Sequence, residues 1–323
     1  MAFKVVVTDY LFDTLDPFLK ELEGLDDVEI EIHQERAWEK VIPLVRDADV
    51  VFVHHANINA QVIEAMDHCK MITRPAIGFD NIDVDAATKK GIYVTNIPEY
   101  GAQHDVSNHV IMLMLACVKK LWLLASNVKQ GGWDMNIAKP IHRLNEQTLG
   151  LCGFGRIPKR VAVKAKALDM RVIAYDPYMS AEAIAEFGVE KVDFDTLCRE
   201  SDVISITLPL NSETNGLFDE KAFAKMKNTA YIINTARGAV IKESDLIKAL
   251  QEKQIAGAGL DVVENEILAA DHPFNKMDNV IVTPHSAWFS EESESSLLKQ
   301  CGEQSALVYR NGAPSHSVNQ IEH

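Results

Sequence analysis

Cysteine is scarce and scattered: Cys69, Cys117, Cys152, Cys198 and Cys301 are the whole complement of 323 residues, odd in number and without a Cys-x-x-Cys spacing. A small disulfide scaffold is excluded, and the pattern predicts reduced thiols in a cytoplasmic setting, most of them core fillers. Positive charge is also in deficit. Lys and Arg number 32 against 47 Asp and Glu, a formal charge of −15 with no concentrated basic stretch, so nucleic acid is not an expected partner. No apolar run suits a membrane: residues 110–118 are cut off by Lys119-Lys120, well short of the roughly 20 residues that span a bilayer. The opening run 3–7 is interrupted by Thr8-Asp9 and no small-residue cleavage site follows, which predicts a first strand rather than an export signal. Metal-ligand spacing is missing too. His54-His55 is a pair only by residue type; neighbouring strand residues point to opposite faces, so shared ligation is not expected and no metal site is predicted.

What is present is enough apolar material, 47% of residues with 24% charged, to bury two cores of ordinary size. Val/Ile-rich runs alternate with longer helical patterns, the signature of parallel sheets covered on both faces, so the fold class is α/β. Runs at 3–8, 28–33, 50–54, 71–73 and 92–95, with helical segments such as 16–23 and 60–67, make one doubly wound unit. A single long helix is expected at 105–129, with Asp105 at its N-cap and Gly131-Gly132 at its end. Runs at 149–153, 171–175, 203–208, 230–234, 256–261 and 280–282, with helices at 158–168, 221–226 and 243–252, make a second doubly wound unit. The boundaries are placed near Pro98 and Pro284, giving domains of 1–98 plus 285–323 and of 99–284, and the polar stretch 313–323 is expected to fray.

Leu149-Gly150-Leu151-Cys152-Gly153-Phe154-Gly155-Arg156-Ile157-Pro158 sets a strand, a Gly-x-Gly turn and a helix start in the order a dinucleotide site requires. Gly153 permits the tight turn, and Gly155 lets the backbone approach a pyrophosphate at the helix's positive end. Pro158 stands where a third glycine is usual. The next strand ends in Asp176, where a carboxylate accepts bonds from the adenosine ribose and repels a 2′-phosphate, so NAD is favoured over NADP. The turn comes after about 150 residues rather than in the first strand, which puts the substrate domain first.

Three later segments hold the candidate catalytic residues, each just beyond a predicted strand: Asn234-Thr235-Ala236-Arg237-Gly238, Asp261-Val262-Val263-Glu264-Asn265-Glu266, and Thr283-Pro284-His285-Ser286-Ala287-Trp288. Residues outside the carboxyl ends of parallel strands can converge although distant in sequence. Reduction of a 2-oxo acid needs a cation to hold the substrate and a proton donor for its carbonyl oxygen. Arg237 suits the first with its planar fork, and His285 the second, with Glu266 holding its ring. Asp261 is the candidate for orienting the nicotinamide carboxamide. Singly, each has a duller reading: a surface cation, a solvated acid, a buried imidazole.

Taken together with Ile77-Gly78-Phe79-Asp80-Asn81-Ile82-Asp83, Val94-Thr95-Asn96-Ile97-Pro98 and Gly259-Leu260-Asp261-Val262, these segments make the chain resemble the D-isomer-specific 2-hydroxyacid dehydrogenase family over essentially its whole length. Residues 284–291 and Arg74 look most like the branch of C-terminal-binding proteins, NAD-linked relatives used as transcriptional corepressors. The resemblance implies a flavodoxin-like substrate domain and a Rossmann NAD-binding domain, with Arg237, Glu266 and His285 as the catalytic trio. It implies a carboxylate cradle from the backbone of Ala76, Ile77 and Gly78, and NAD contacts from Arg156, Ile157, Asp176, Thr207, Pro209, Thr235, Ala236 and Asp261. It further implies a homodimer built in part by the 105–129 helix, and closure of the two domains over substrate.

The chain departs from the family in three places. Glu266 is followed by Ile267 rather than proline, so its choice over Glu264 rests on spacing; the usual Val-Ala-Glu-His reads Val106-Ser107-Asn108-His109; and Ala76 replaces a frequent glycine. An indole wall at Trp288 suits an apolar substrate side chain, whereas Arg74 suits a second carboxylate, a phosphate or a sulfonate, and the particular acid stays open. The leading expectation is an NAD-dependent oxidoreductase of 2-oxo and D-2-hydroxy acids. The alternative is an NADH-responsive binding protein with little turnover. Formate or phosphite oxidation is disfavoured, since formate dehydrogenases of the family carry Gln where Glu266 stands.

Overall fold

The computed structural model describes residues 2–321, which divide into two compact units: residues 2–101 with 290–321, and Ala102–Phe289. The first unit runs β1 (Phe3–Val7), α1 (Asp16–Lys20), β2 (Val28–Ile32), α2 (Trp38–Val45), β3 (Val50–Phe52), α3 (Ala60–Glu64), β4 (Met71–Thr73), α4 (Val84–Lys89) and β5 (Tyr93–Thr95). The second opens with α5 (Ala102–Val118) and α6 (Leu121–Lys129), then β6 (Thr148–Cys152), α7 (Arg156–Ala167), β7 (Arg171–Tyr175), α8 (Ala181–Ala185) and β8 (Glu190–Lys191). It continues through α9 (Phe194–Glu200), β9 (Val203–Ile206), α10 (Glu220–Phe223), β10 (Tyr231–Asn234), α11 (Glu243–Gln251), β11 (Gly257–Leu260) and β12 (Val280–Val282). The chain returns to the first unit as α12 (Glu291–Asn311).

Both sheets are parallel and doubly wound, in the orders β2-β1-β3-β4-β5 and β12-β11-β10-β9-β6-β7-β8. Strand order therefore reverses beside β1 in the first unit and beside β6 in the second, the two points where such sheets leave a crevice. β3, β4, β6, β9 and β11 are buried at every residue, which is why they read as unbroken apolar runs. In the second unit Phe218, Phe223, Ile204 and Ile232 are fully buried in one core; each such side chain contributes about 1.5–3 kcal/mol relative to exposure.

The long helix expected at 105–129 is instead two. α5 begins earlier, so Asp105 lies in its first turn rather than at its cap, and Lys120 turns left-handed at φ 50°, bending α6 away by 64°. No single helix among the described residues is long and apolar enough to cross a membrane. β3 stops at Phe52 rather than at residue 54. His54 and His55 thus escape strand alternation, and their rings lie side by side with centroids 4.1 Å apart, not on opposite faces as expected. The tail is also not frayed through its described part: Val318 N–H donates to Val94 O at 2.8 Å, and His316 Nε2 meets Asn96 O at 2.6 Å.

Candidate active site

In the second unit, strand register aligns the residues that follow the carboxyl ends. Cys152 pairs with Tyr175 and with Ile206, Ile206 with Asn234, Asn234 with Leu260 and Leu260 with Val282. One step further along each strand stand Asp176, Gly153, Thr207, Thr235, Asp261 and Thr283. Gly153, Asp176, Thr207, Thr235 and Asp261, all singled out from the sequence, therefore share one edge.

Gly153 sits at φ 98°, a conformation that favours glycine, and its N–H donates to Tyr175 O at 2.8 Å. Gly155 is the N-cap of α7, no side chain caps that helix, and nothing lies within 4 Å of where a Cβ would stand. An open glycine at an uncapped helix start fits a diphosphate. Pro158, buried at the third helical position, removes an N–H that has no intrahelical acceptor, so the turn survives its presence. Asp176 accepts the N–H groups of Phe154 at 2.8 Å, Tyr178 at 2.9 Å and Met179 at 3.0 Å. Its carboxylate ties the glycine turn to β7 and keeps lone-pair capacity for ribose hydroxyls. Thr207 is bonded back to Cys152 O through N–H and hydroxyl, Pro209 is exposed, and Thr235 Oγ1 is buried without a partner among the described residues.

Arg237 follows β10 in a loop closed by Asn234, whose side chain accepts from Ala236 N–H and donates to Arg237 O. A Cβ on Gly238 would meet the carbonyl of Val263 at 2.1 Å; only glycine lets the Arg237 loop lie against the segment that carries Glu266. Glu266 Oε2 lies 2.6 Å from His285 Nδ1. The acid in contact with the imidazole is thus Glu266, the one chosen by spacing; the backbone N–H of Glu264 donates to Glu243. Both partners have left-handed backbones, φ 60° at Glu266 and 52° at His285, each at a cost of about 1–3 kcal/mol that the surroundings must hold. Asp261, 1% exposed, takes the Thr283 hydroxyl and the N–H groups of Ser286 and Ala287. Trp288 stands edge-to-face with Phe289, centroids 5.7 Å apart.

In the first unit Arg74 follows β4, and its guanidinium donates to His54 O at 3.1 Å and to Gly78 O at 2.5 Å. It braces the loop's own backbone, a use the sequence did not reveal. Asn96 donates to Ile77 O at 2.7 Å, while the N–H groups of Ile77 and Gly78 take no protein partner among the described residues. Asp9, fully buried, was not singled out from the sequence; it accepts the N–H groups of His54, His55 and Ala56. His109 and Thr283 were likewise given no role, and they meet at 2.9 Å. Among the described residues no group of three or more His, Cys, Asp or Glu side chains is placed to hold a metal.

Residues 111–287 match the family model described as D-isomer specific 2-hydroxyacid dehydrogenase, NAD binding domain. The chain is 37% identical over 292 residues to a D-3-phosphoglycerate dehydrogenase of Archaeoglobus fulgidus, covering 90% of this chain and 54% of that protein. It spans about half the length of that relative. A glyoxylate reductase of Korarchaeum cryptofilum is 37% identical over 285 residues, 87% of this chain and 85% of its own. The D-lactate dehydrogenase of Aquifex aeolicus, solved with NAD and lactic acid, superposes with a TM-score of 0.86 at 30% identity, covering 95% of this chain and 96% of that one. The chain belongs to the D-isomer-specific 2-hydroxyacid dehydrogenase family, with its NAD binding domain in the second unit.

Proposed function

We propose that this chain is an NAD-dependent oxidoreductase that interconverts a 2-oxo acid and a D-2-hydroxy acid. The observation that carries the proposal is the 2.6 Å contact of Glu266 with His285 Nδ1, at the same sheet edge as the open glycine turn of α7. Bound dinucleotide supplies or takes up the hydride. Glu266 holds the Nδ1 proton and stabilises the imidazolium, so Nε2 is the nitrogen that gives a proton to the substrate oxygen and takes it back in the reverse direction. Arg237 anchors and polarises the substrate with its fork, and the N–H groups of Ile77 and Gly78, beside Ala76, receive the carboxylate. Arg74, being held by backbone carbonyls, shapes that cradle rather than binding a second anionic group, which leaves Trp288 as the specificity wall. Gly153, Gly155, Arg156 and Ile157 hold the diphosphate, Asp176 the ribose, and Thr207, Pro209, Thr235, Ala236 and Asp261 the nicotinamide half.

The test is NADH oxidation by the purified chain against glyoxylate, pyruvate, hydroxypyruvate, phenylpyruvate and phospho- and sulfo-substituted 2-oxo acids. Turnover with uncharged side chains above the phospho and sulfo acids is expected. Tight NADH binding with no turnover would favour the binding-protein reading suggested by the likeness of residues 284–291 to C-terminal-binding proteins. Self-association as a homodimer is part of the proposal: α6 has no buried residue, and Leu121, Trp122 and Val128 on it are more than half exposed.

A further inference from the structure

α5 packs along β10, β11 and β12, and His109, in its second turn, is the residue through which it reaches the loop after β12. His109 Nε2 lies 2.9 Å from Thr283 Oγ1 and 3.4 Å from Asp261 Oδ1. The single Thr283 hydroxyl proton goes to Asp261 Oδ1 at 2.5 Å; Oγ1 must then accept from His109, which fixes that imidazole's proton on Nε2. Burial pushes His109 below its ordinary pKa against the opposing pull of Asp261, consistent with a neutral ring acting as donor. Asp261 in turn accepts Ser286 N–H and Ala287 N–H, both at 2.9 Å, and its backbone carbonyl accepts His285 N–H at 2.8 Å. His285 thus stands left-handed inside a loop wrapped on one buried carboxylate, and such a conformation persists only where its surroundings over-determine it.

We propose that His109 is a positioning residue: through Thr283 and Asp261 it locks loop 283–287 in the conformation that sets His285 Nδ1 against Glu266. The same stretch of α5 is bonded on its other side, where Lys164 of α7 donates to Ser107 Oγ and Asn108 Oδ1, both at 2.5 Å. One helix is therefore fastened both to the helix behind the glycine turn and to the loop of the proton donor. Among neutral side chains, Gln retains an N–H donor of similar reach, whereas Ala leaves the Thr283 oxygen without it.

The inference rests on the reading of His285 as proton donor, so its test includes a measurement that needs no turnover. In the full chain labelled with 13C-histidine, the His285 ring resonance, assigned by its loss in His285→Ala, is compared at one pH in wild type, His109→Ala, His109→Gln and Thr283→Val. His109→Ala and Thr283→Val are expected to shift the His285 ring resonance, and His109→Gln to restore most of the change. With glyoxylate, kcat of His109→Ala should fall about 10-fold or more, while KM and the NADH dissociation constant, read by fluorescence, change less than about 2-fold. A His285 resonance unaltered in all three variants would overturn the proposal. So would equal losses in His109→Ala and His109→Gln with a matching drop in thermal midpoint, since that is packing alone. If no variant or wild type reduces any 2-oxo acid but the resonance shifts as expected, the positioning stands and the dehydrogenase reading falls.

Discussion

His285 has one ring nitrogen held by Glu266 at 2.6 Å, and the proposed mechanism gives the other the only proton transfer. His285→Ala is therefore expected to lower kcat by about 10²–10⁴-fold with the NADH dissociation constant nearly unchanged. Lost NADH binding with unchanged chemistry would remove His285 from the proton-donor role. Asp176 is a more compound case. Asp176→Ala removes the repulsion of a 2′-phosphate, so NADPH affinity should rise relative to NADH; an unchanged ratio would place the ribose carboxylate elsewhere. It also strips three backbone N–H groups of their acceptor, and a lower thermal midpoint should accompany the change, about 1–3 kcal/mol of stability. The five cysteines make a simpler statement. All are buried and unpaired, and burial pushes the thiols of Cys69, Cys117, Cys198 and Cys301 up to about 12. Iodoacetamide at neutral pH should label none of them in the native protein and all five after unfolding, counted by intact mass; rapid native labelling would mean the core opens locally.

At the scale of elements, legibility followed burial. Parallel strands covered on both faces leave apolar runs in the sequence, and the residues just past them, Gly153, Asp176, Thr207, Thr235 and Asp261, fall into one row by register, so that edge was legible from strand ends, with Arg237, Glu266 and His285 in the loops that follow. The bend between α5 and α6 was hidden because Lys119-Lys120 reads equally well as a solvated turn of a continuous helix. α12, which the sequence did not reveal, buries Ser293, Cys301, Gly302, Gln304 and Ser305 along with its leucines; small and polar residues carry that face, so no apolar period marks it. The His109–Thr283 link joins residues 174 apart, and no local spacing encodes it. The seat of α12 can be tested directly. A Cβ on Gly302 would meet Phe18 O at 2.6 Å and Glu21 Cβ at 2.8 Å, so Gly302→Val should overpack the α1–α12 contact and cost about 1–3 kcal/mol. The loss belongs to the first unit. NADH affinity, carried by the second, should survive at temperatures below the lowered thermal transition, and an unchanged thermal profile would mean that α1 yields without cost.

For the molecule as a whole, the apolar surface of α6 and the segment after it needs an occupant. Beyond the Gly131-Gly132 stop, Trp133 is 91% exposed and Met135 73%, and with Leu121, Trp122 and Val128 they form a run of large apolar side chains that a monomer rarely leaves in water. The proposed homodimer puts a second copy of the chain there. An isologous pairing buries the same residues twice, and each large side chain so removed from water contributes about 1.5–3 kcal/mol, enough in sum to offset the loss of free motion on association. The left-handed turn at Lys120 acquires a purpose in this arrangement, since it directs α6 away from the line of α5. Trp133→Arg places a charge at the most exposed point of the surface. Sedimentation equilibrium should give twice the chain mass for the wild type and a shift towards the single chain mass for the variant, with the thermal midpoint lowered in a concentration-dependent way. A wild-type chain that stays monomeric at tens of micromolar, or a variant that pairs as tightly as wild type, would move the interface elsewhere and leave Trp133 to a different partner.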